Sequence, residues 1–527
     1  MRVALLIAFG ILSTATTAQN IAPDSLEPSD GAPRFETTSD GDAYNTTTDP
    51  GSASETPPED ETAFERNRRL AILFTERGNE RRQAGDLEGA VAQYDRAIEY
   101  DANYGAVYWN RGIAYADMGA YQKAIVDYTS AMDFYAEDPY GLAILYMNRG
   151  INKYYLGEFE EAIEDHTKAI RTNPNYGAAY WNRGAAYGEA GLFEDAIVDF
   201  SRAIEFYSTR ANELAVLYMN RGINRREAGD LDGAVKDYSR AIDLRPDYGA
   251  AYWNRGVAYG DRGEREEAIA DYTRAMKHYV ENDVALAALY NNRGYEKRQL
   301  KDYREAVNDF SKAISLNPDS FAAHWRRAST YGHLGQYEKS IRDYDEAIRM
   351  ATSDRVLASL YLGRAYEKRF TQDYEGAMKD VVKALAFNDQ MAEAYYLSGK
   401  INYENLKNRN SAIADFERAI EISQHPGTYS AFSRFYLGDG DEAVDEMQAV
   451  IDRARKAEKD EDVAYYNMAC LQALMNNAHE SVKFLKMALN AGYRSVNRIR
   501  DNSDFYNIHG DGEYQATIGQ FERQADF

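Results

Sequence analysis

The groups in this sequence that could do chemistry are carboxylates, amides and indoles that return at a fixed interval. Interval matters here, because catalysis needs one distinctive constellation and a repeated one suits extended binding. The seven histidines (His166, His278, His324, His333, His425, His479, His509) form no HExxH or similar ligand spacing, so no metal site is expected. No glycine-rich phosphate loop follows a strand pattern, and no Gly-x-Ser-x-Gly elbow occurs. Asp439-Gly440-Asp441 and Asp511-Gly512-Glu513 lack the twelve-residue ligand series of a calcium loop and read as turns. Cys470 stands alone in the apolar stretch YYNMACLQAL. It excludes an intramolecular disulfide and reads as a buried structural thiol. The expectation is a chain with no catalytic residues and no cofactor.

The repeated groups fall into registers counted from a small residue that recurs at Gly78, Gly112, Gly150, Gly184, Gly222, Gly256, Gly294, Ala328, Ala365, Gly399, Ala431 and Ala469. Immediately before this mark stands Arg, as Arg111, Arg149, Arg183 and Arg221; fifteen residues after it stands Asp, as Asp127, Asp165, Asp199 and Asp237. Opposite charges in step with a repeat predict a ladder of ion pairs between packed helices, since a half-buried guanidinium needs a partner. Two residues before the mark is Asn in six consecutive units: Asn110, Asn148, Asn182, Asn220, Asn254 and Asn292. An amide both donates and accepts, which suits main-chain recognition and equally suits tying neighbouring helices. Three residues before the mark lie all four tryptophans, Trp109, Trp181, Trp253 and Trp325, with Met147 and Met219 in the units between. Such side chains give anchoring area at a binding surface, or packing between repeats.

These registers must be positioned by whatever element repeats. VYWNRGIAYADMGAYQKAIVDYTSAM (107–132), AYWNRGAAYGEAGLFEDAIVDFSRAI (179–204) and AYWNRGVAYGDRGEREEAIADYTRAM (251–276) are 72 residues apart, and a second type alternates with them at 145–170 and 217–242. The mark spacing alternates 34 and 38 through Ala328. Four extra residues are about one helical turn, so the longer unit can extend a helix while keeping its faces in phase. With an aromatic four residues before the mark, Ala twelve residues after it (Ala90, Ala124, Ala162) and Ala seven residues later again (Ala97, Ala131, Ala169), each unit resembles the 34-residue tetratricopeptide repeat. The resemblance covers 62–491 in about twelve units. It implies an all-α fold, an α-solenoid (right-handed superhelix) of helix-turn-helix pairs, with 492–527 as a carboxy-terminal cap.

The resemblance also implies a task, because such repeats hold other proteins or peptides on their concave face. By resemblance the Trp, Met and Asn registers lie on the first helix toward that groove. The Asn run is similar to the asparagine ladder with which the repeat domains of O-linked N-acetylglucosamine transferases grip an extended peptide. The expected peptide-binding residues are therefore Trp109, Asn110, Met147, Asn148, Trp181, Asn182, Met219, Asn220, Trp253, Asn254, Asn292 and Trp325. The family's chaperone adaptors read a carboxy-terminal peptide through Lys, Asn and Arg; Ala106, Trp109, Asn110 and Ile113 stand on the corresponding face here, and the Lys and Arg are missing.

Composition narrows the partner. Of 527 residues, 85 are Asp or Glu against 61 Lys or Arg, a net charge of −24. No clustered cationic footprint is present to release counterions, which excludes nucleic acid as the expected partner. At the amino terminus Arg2, an apolar run from Val3 to Leu12 and small residues up to Ala18 read as a signal peptide (1–18), too short to span a bilayer. Residues 19–61, holding six of the eleven prolines, read as a disordered tether. The sequence therefore predicts a non-enzymatic scaffold in the periplasm or outside the cell. It would bind protein or peptide in its groove or, alternatively, join an envelope complex through its acidic outer surface.

Overall fold

The computed structural model of the chain describes residues 62–423 and 425–525. The signal peptide and tether expected at 1–18 and 19–61 lie outside the described residues. Among the described residues the fold is all-α, a succession of antiparallel helix pairs, each a first helix (A) and a second helix (B). Repeats 1 to 6 are Ala63–Gln83 with Leu87–Tyr100, Gly105–Asp117 with Tyr121–Met132, Pro139–Tyr155 with Phe159–Thr172, Gly177–Glu189 with Phe193–Phe206, Ala211–Glu227 with Leu231–Leu244, and Gly249–Arg262 with Arg265–Ala275. Repeats 7 to 12 are Asp283–Gln299 with Tyr303–Leu316, Phe321–His333 with Tyr337–Met350, Asp354–Phe370 with Tyr374–Phe387, Ala392–Glu404 with Arg409–Ile422, Thr428–Leu437 with Gly440–Ala457, and Glu461–Leu474 with Ala478–Asn490. Helix Val496–Asp501, a 3-10 turn at Ser503–Ile508 and helix Gly512–Ala525 follow repeat 12. Two compact units are formed, one ending at Glu267 and one running from Ala268.

The small mark exists because an aromatic ring lies on it. A Cβ on Gly78 would stand 2.4 Å from the Tyr94 ring, and one on Gly150 would stand 2.7 Å from His166. The alanines twelve and nineteen residues on, such as Ala90 and Ala97, are fully buried at the same A–B contact. Burial pushes the His166 imidazole down to about 3, so this ring is a neutral packing group.

The alternating spacing comes from helix A. It has 13 residues in Gly105–Asp117 and Gly177–Glu189, and 17 in Pro139–Tyr155 and Ala211–Glu227. The added turn precedes the mark, so the faces of the pair stay in phase.

The Arg and Asp registers meet as expected within the pairs of repeats 2 to 5 and 7 to 9. Arg221 Nε and NH2 donate to Asp237 at 2.8 and 2.7 Å, and Arg149 donates to Asp165 at 2.8 and 2.7 Å. Although burial opposes ionisation, Arg149 and Lys153 hold the Asp165 carboxyl below its ordinary range. The remaining guanidinium nitrogen does something the charge pattern did not announce: it reaches back to a hydroxyl on helix B of the preceding repeat. Arg149 donates to Thr129 at 3.0 Å, Arg183 to Thr167 at 3.1 Å, Arg221 to Ser201 at 3.0 Å and Arg255 to Ser239 at 2.9 Å. One side chain thus clamps its own pair and staples it to the previous one. The hydroxyl register sits seventeen residues after the mark and is legible once the geometry is known.

Candidate functional site

Most consecutive A helices touch one another within each unit, so they form its inner face. In the amino-terminal unit that face carries the residues expected to bind, and the structure sorts them. Trp109 is 5 %, Trp181 2 % and Trp253 0 % exposed, with Met147 and Met219 equally buried. The indoles of Trp109 and Trp181 and the thioethers of Met147 and Met219 pack between neighbouring repeats: Trp109 meets Tyr135 edge-on at 5.1 Å and Trp181 meets Tyr207 at 5.4 Å. This departs from the expected groove-lining role, and the cause is the next repeat, which closes over the ring before any ligand can reach it. Trp325, in the carboxy-terminal unit, is half-exposed beside Phe321, 5.6 Å away.

The Asn register is also enclosed. Asn110, half-buried, donates to Ala106 O at 2.9 Å, and Asn254 donates to Ala250 O at 3.0 Å. Asn148, Asn182, Asn220 and, in the carboxy-terminal unit, Asn292 are buried. The Nδ2 groups of Asn182, Asn220 and Asn292 make no hydrogen bond within the protein, which is costly for buried donors. A second amide register was missed. Asn152 and Asn224 stand two residues after the mark in the 17-residue helices, and each donates to the carbonyl four residues back, Asn148 O at 2.8 Å and Asn220 O at 2.9 Å. The recurring Gly-Ile-Asn at 150–152 and 222–224 was the available signal.

The carboxy-terminal unit uses the same face differently. After repeat 12 the chain turns back and lays residues 494–508 across the ends of its A helices. His333 Nδ1 lies 2.8 Å from Ser495 Oγ. Asn497 donates to Leu334 O at 2.8 Å, and Arg498 donates to Gly332 O at 3.1 Å and to Glu367 Oε1 at 2.8 Å. Tyr337 donates to Asp501 at 2.7 Å, and Lys400 pairs with Asp504. Ile499 and Phe505, side chains of the segment itself, are fully buried. Lys301, in the left-handed conformation (φ 65) where earlier repeats place glycine, sends its ammonium to Gly492 O at 2.8 Å and to Asp462. The sequence predicted a cap at 492–527. Helix Gly512–Ala525 does pack on Ala478–Asn490, whereas the segment before it fills the inner face. Its mixed polar and apolar pattern has no repeat period, so nothing in the sequence marked where it would dock.

Burial, reinforced by Arg498, Arg298 and Lys301, holds the His333 imidazole well below its ordinary pKa, hence neutral. Deeper in the same unit burial pushes Glu393 up to about 7, against the hydrogen bonds from Tyr429 and Tyr366. Cys470 is buried, and its thiol is raised far above the ordinary value by the apolar setting. Among the described residues no group of His, Cys, Asp or Glu is placed to hold a metal ion. No described helix is long and apolar enough to cross a membrane.

Comparison with known proteins agrees with this geometry. A family model described as TPR repeat matches residues 78–119, 152–191 and 224–263, and models described as tetratricopeptide repeat match 287–320, 326–390 and 392–426. Among curated proteins, the DnaJ homolog subfamily C member 7 homolog of Dictyostelium discoideum is 26 % identical over 158 residues, 28 % of each chain. The human mitochondrial import receptor subunit TOM70 is 25 % identical over 187 residues, 33 % of this chain and 30 % of the receptor subunit. The chain therefore spans less than a third of the length of these relatives. Among solved structures, YrrB, described as a TPR protein with an unusual peptide-binding site, aligns at 21 % identity with a TM-score of 0.32 over 37 % of this chain and 95 % of its own. The Cut9–Hcn1 hetero-tetramer of the APC/C aligns over 88 % of this chain and 96 % of its own at 12 % identity and a TM-score of 0.36. With repeat models running from residue 78 to residue 426 over helix pairs whose small marks lie under the rings of their partner helices, the chain belongs to the tetratricopeptide-repeat family.

Proposed function

We propose that the protein is a non-catalytic scaffold that holds segments of other proteins on the inner face of its amino-terminal unit. The observation that carries this reading is the carboxy-terminal unit, whose corresponding face is already occupied by a polypeptide segment, residues 494–508 of the chain itself. The import-receptor role in the name of TOM70 is a protein-binding task of the same kind. The apolar run at Val3–Leu12 supports a place in the periplasm or outside the cell, tested by sequencing the amino terminus of the protein from its native host, where Gln19 is expected first.

The alternative, binding through the acidic outer surface, is separated by site-specific photo-crosslinking. A crosslinking residue at exposed Glu189, at the end of an A helix, is compared with one at Val198, 67 % exposed on a B helix. Adducts with partner proteins at Glu189 and none at Val198 are expected. Adducts at Val198 alone replace the inner-face reading with the outer-face one.

A further inference from the structure

We propose that the partner segment carries an arginine, and that its guanidinium docks on the inner face of the amino-terminal unit between the end of helix Gly105–Asp117 and the side chain of Asn152. This rests on the inner-face reading above and adds the chemistry of what is bound. The warrant is the way the carboxy-terminal unit holds Arg498. That guanidinium sits on the carbonyl of the residue four past the mark, Gly332, and on the side chain two past the mark of the next repeat, Glu367. Gly332 O also accepts the amide of Gly335 at 3.2 Å, so one carbonyl serves both the turn and the ligand. The polar side chain lies directly over the preceding helix: a Cβ on Gly332 would meet Glu367 Oε1 at 2.3 Å.

The amino-terminal unit carries the same registers. The residues four past the mark are Ala116 and Gly188, and those two past the next mark are Asn152 and Asn224. A Cβ on Gly188 would meet Asn224 Oδ1 at 2.8 Å, the same overlay as Gly332 with Glu367. Ala116 O accepts the turn amide of Gly119 at 2.9 Å, as Gly332 O does from Gly335, which leaves a second lone pair. Asn152 is 3 % exposed; its Nδ2 is fixed on Asn148 O, and its Oδ1 is buried with no hydrogen-bond partner. A buried acceptor without a donor is unfavourable, and Asn152 stands at the register position from which Glu367 accepts from Arg498. The charge around it points the same way. Where the carboxy-terminal unit has neutral His333, five past the mark, the amino-terminal unit has exposed Asp117, which pairs with Arg82 at 3.4 Å, and exposed Glu189. A carbonyl at a helix carboxy terminus, an open amide oxygen and flanking carboxylates select a cation with several donors, which is arginine.

The probe is a labelled synthetic peptide of residues 494–504, RSVNRIRDNSD, and its counterpart with Gln at the three arginines, each titrated into the full-length protein by fluorescence anisotropy. The arginine peptide is expected to bind at least about tenfold more tightly than the glutamine one. Asn152→Asp, which makes the acceptor a carboxylate as at Glu367, should tighten the arginine peptide about fivefold or more and leave the glutamine peptide unchanged. If Asn152→Asp lowers the melting temperature, the arginine peptide should restore it by more than it raises that of the wild type. Equal affinity of the two peptides, or an arginine peptide indifferent to Asn152→Asp, overturns the proposal. Binding of both peptides with crosslinks at Glu189 removes the arginine site alone and leaves the inner-face reading standing.

Discussion

Replacing Asp237 by alanine removes one carboxylate and strands two guanidinium groups. Asp237 accepts from Arg221 at 2.8 and 2.7 Å and from Arg225 at 2.9 Å. Its side chain is 4 % exposed, against 14 % for Arg221 and 23 % for Arg225. Breaking a fully buried pair from one side costs about 3–5 kcal/mol. Here the arginines retain partial hydration, Arg221 keeps Ser201 at 3.0 Å, and Arg225 keeps Gly233 O at 3.3 Å. The expected loss is therefore at the lower end, about 3 kcal/mol. In a repeat array such a loss is local, because stability is a sum over repeats and their borders. Hydrogen exchange of the Leu231–Leu244 amides is the direct assay, and about 3 kcal/mol corresponds to roughly a hundredfold faster exchange there. Glu213→Ala is the control: its pair with Arg210 is 3.8 Å long and open to solvent, so about 0.5 kcal/mol or less is expected. If the two variants exchange alike, the clamp contributes nothing and the ladder reading is wrong.

Trp181→Ala should cost about 3–5 kcal/mol in urea unfolding, as for any large buried aromatic; a loss under about 1 kcal/mol would return the indole to the surface. Glu393, raised to about 7 in the fold from an ordinary 4.5, binds its proton more tightly folded than unfolded. Its contribution is complete below about pH 4.5 and fades as the pH rises toward 7, by about 2–3 kcal/mol. Melting of the carboxy-terminal unit should therefore weaken over that window, and Glu393→Gln should flatten the curve. Cys470 should react with a thiol reagent only as fast as the unit opens, so moderate urea should accelerate labelling and saturating neutral reagent should not.

The repeat, its helix pairs and the Arg–Asp clamp were legible in the sequence because each is a periodic signal, and periodicity survives without coordinates. The hydroxyl half of the staple was periodic too, at Thr129, Thr167, Ser201 and Ser239, but Ser and Thr on a helix surface carry no demand for a partner and draw no notice. The Trp register was read correctly as a register and misplaced as a surface. Sequence spacing gives the face of a helix, whereas burial depends on how closely the next repeat approaches, and Tyr135 and Tyr207 close that gap. The docking of 494–508 was beyond reach for the opposite reason. It is a single aperiodic segment whose partners, Gly332, Glu367 and Lys400, lie about 100 to 170 residues away along the chain.

The staple has a consequence for how such a chain can change length. Every border from Arg149 to Arg255 is sealed by the same arginine reaching the same hydroxyl position, and the 13- and 17-residue first helices alternate around it. Removing 72 residues between equivalent points joins a hydroxyl such as Thr167 to Arg255, a border chemically identical to the one it had with Arg183. Removing one repeat instead sets two first helices of the same length side by side. Growth and shrinkage of this array should therefore be quantised, with the pair of repeats as the unit of inheritance and of engineering.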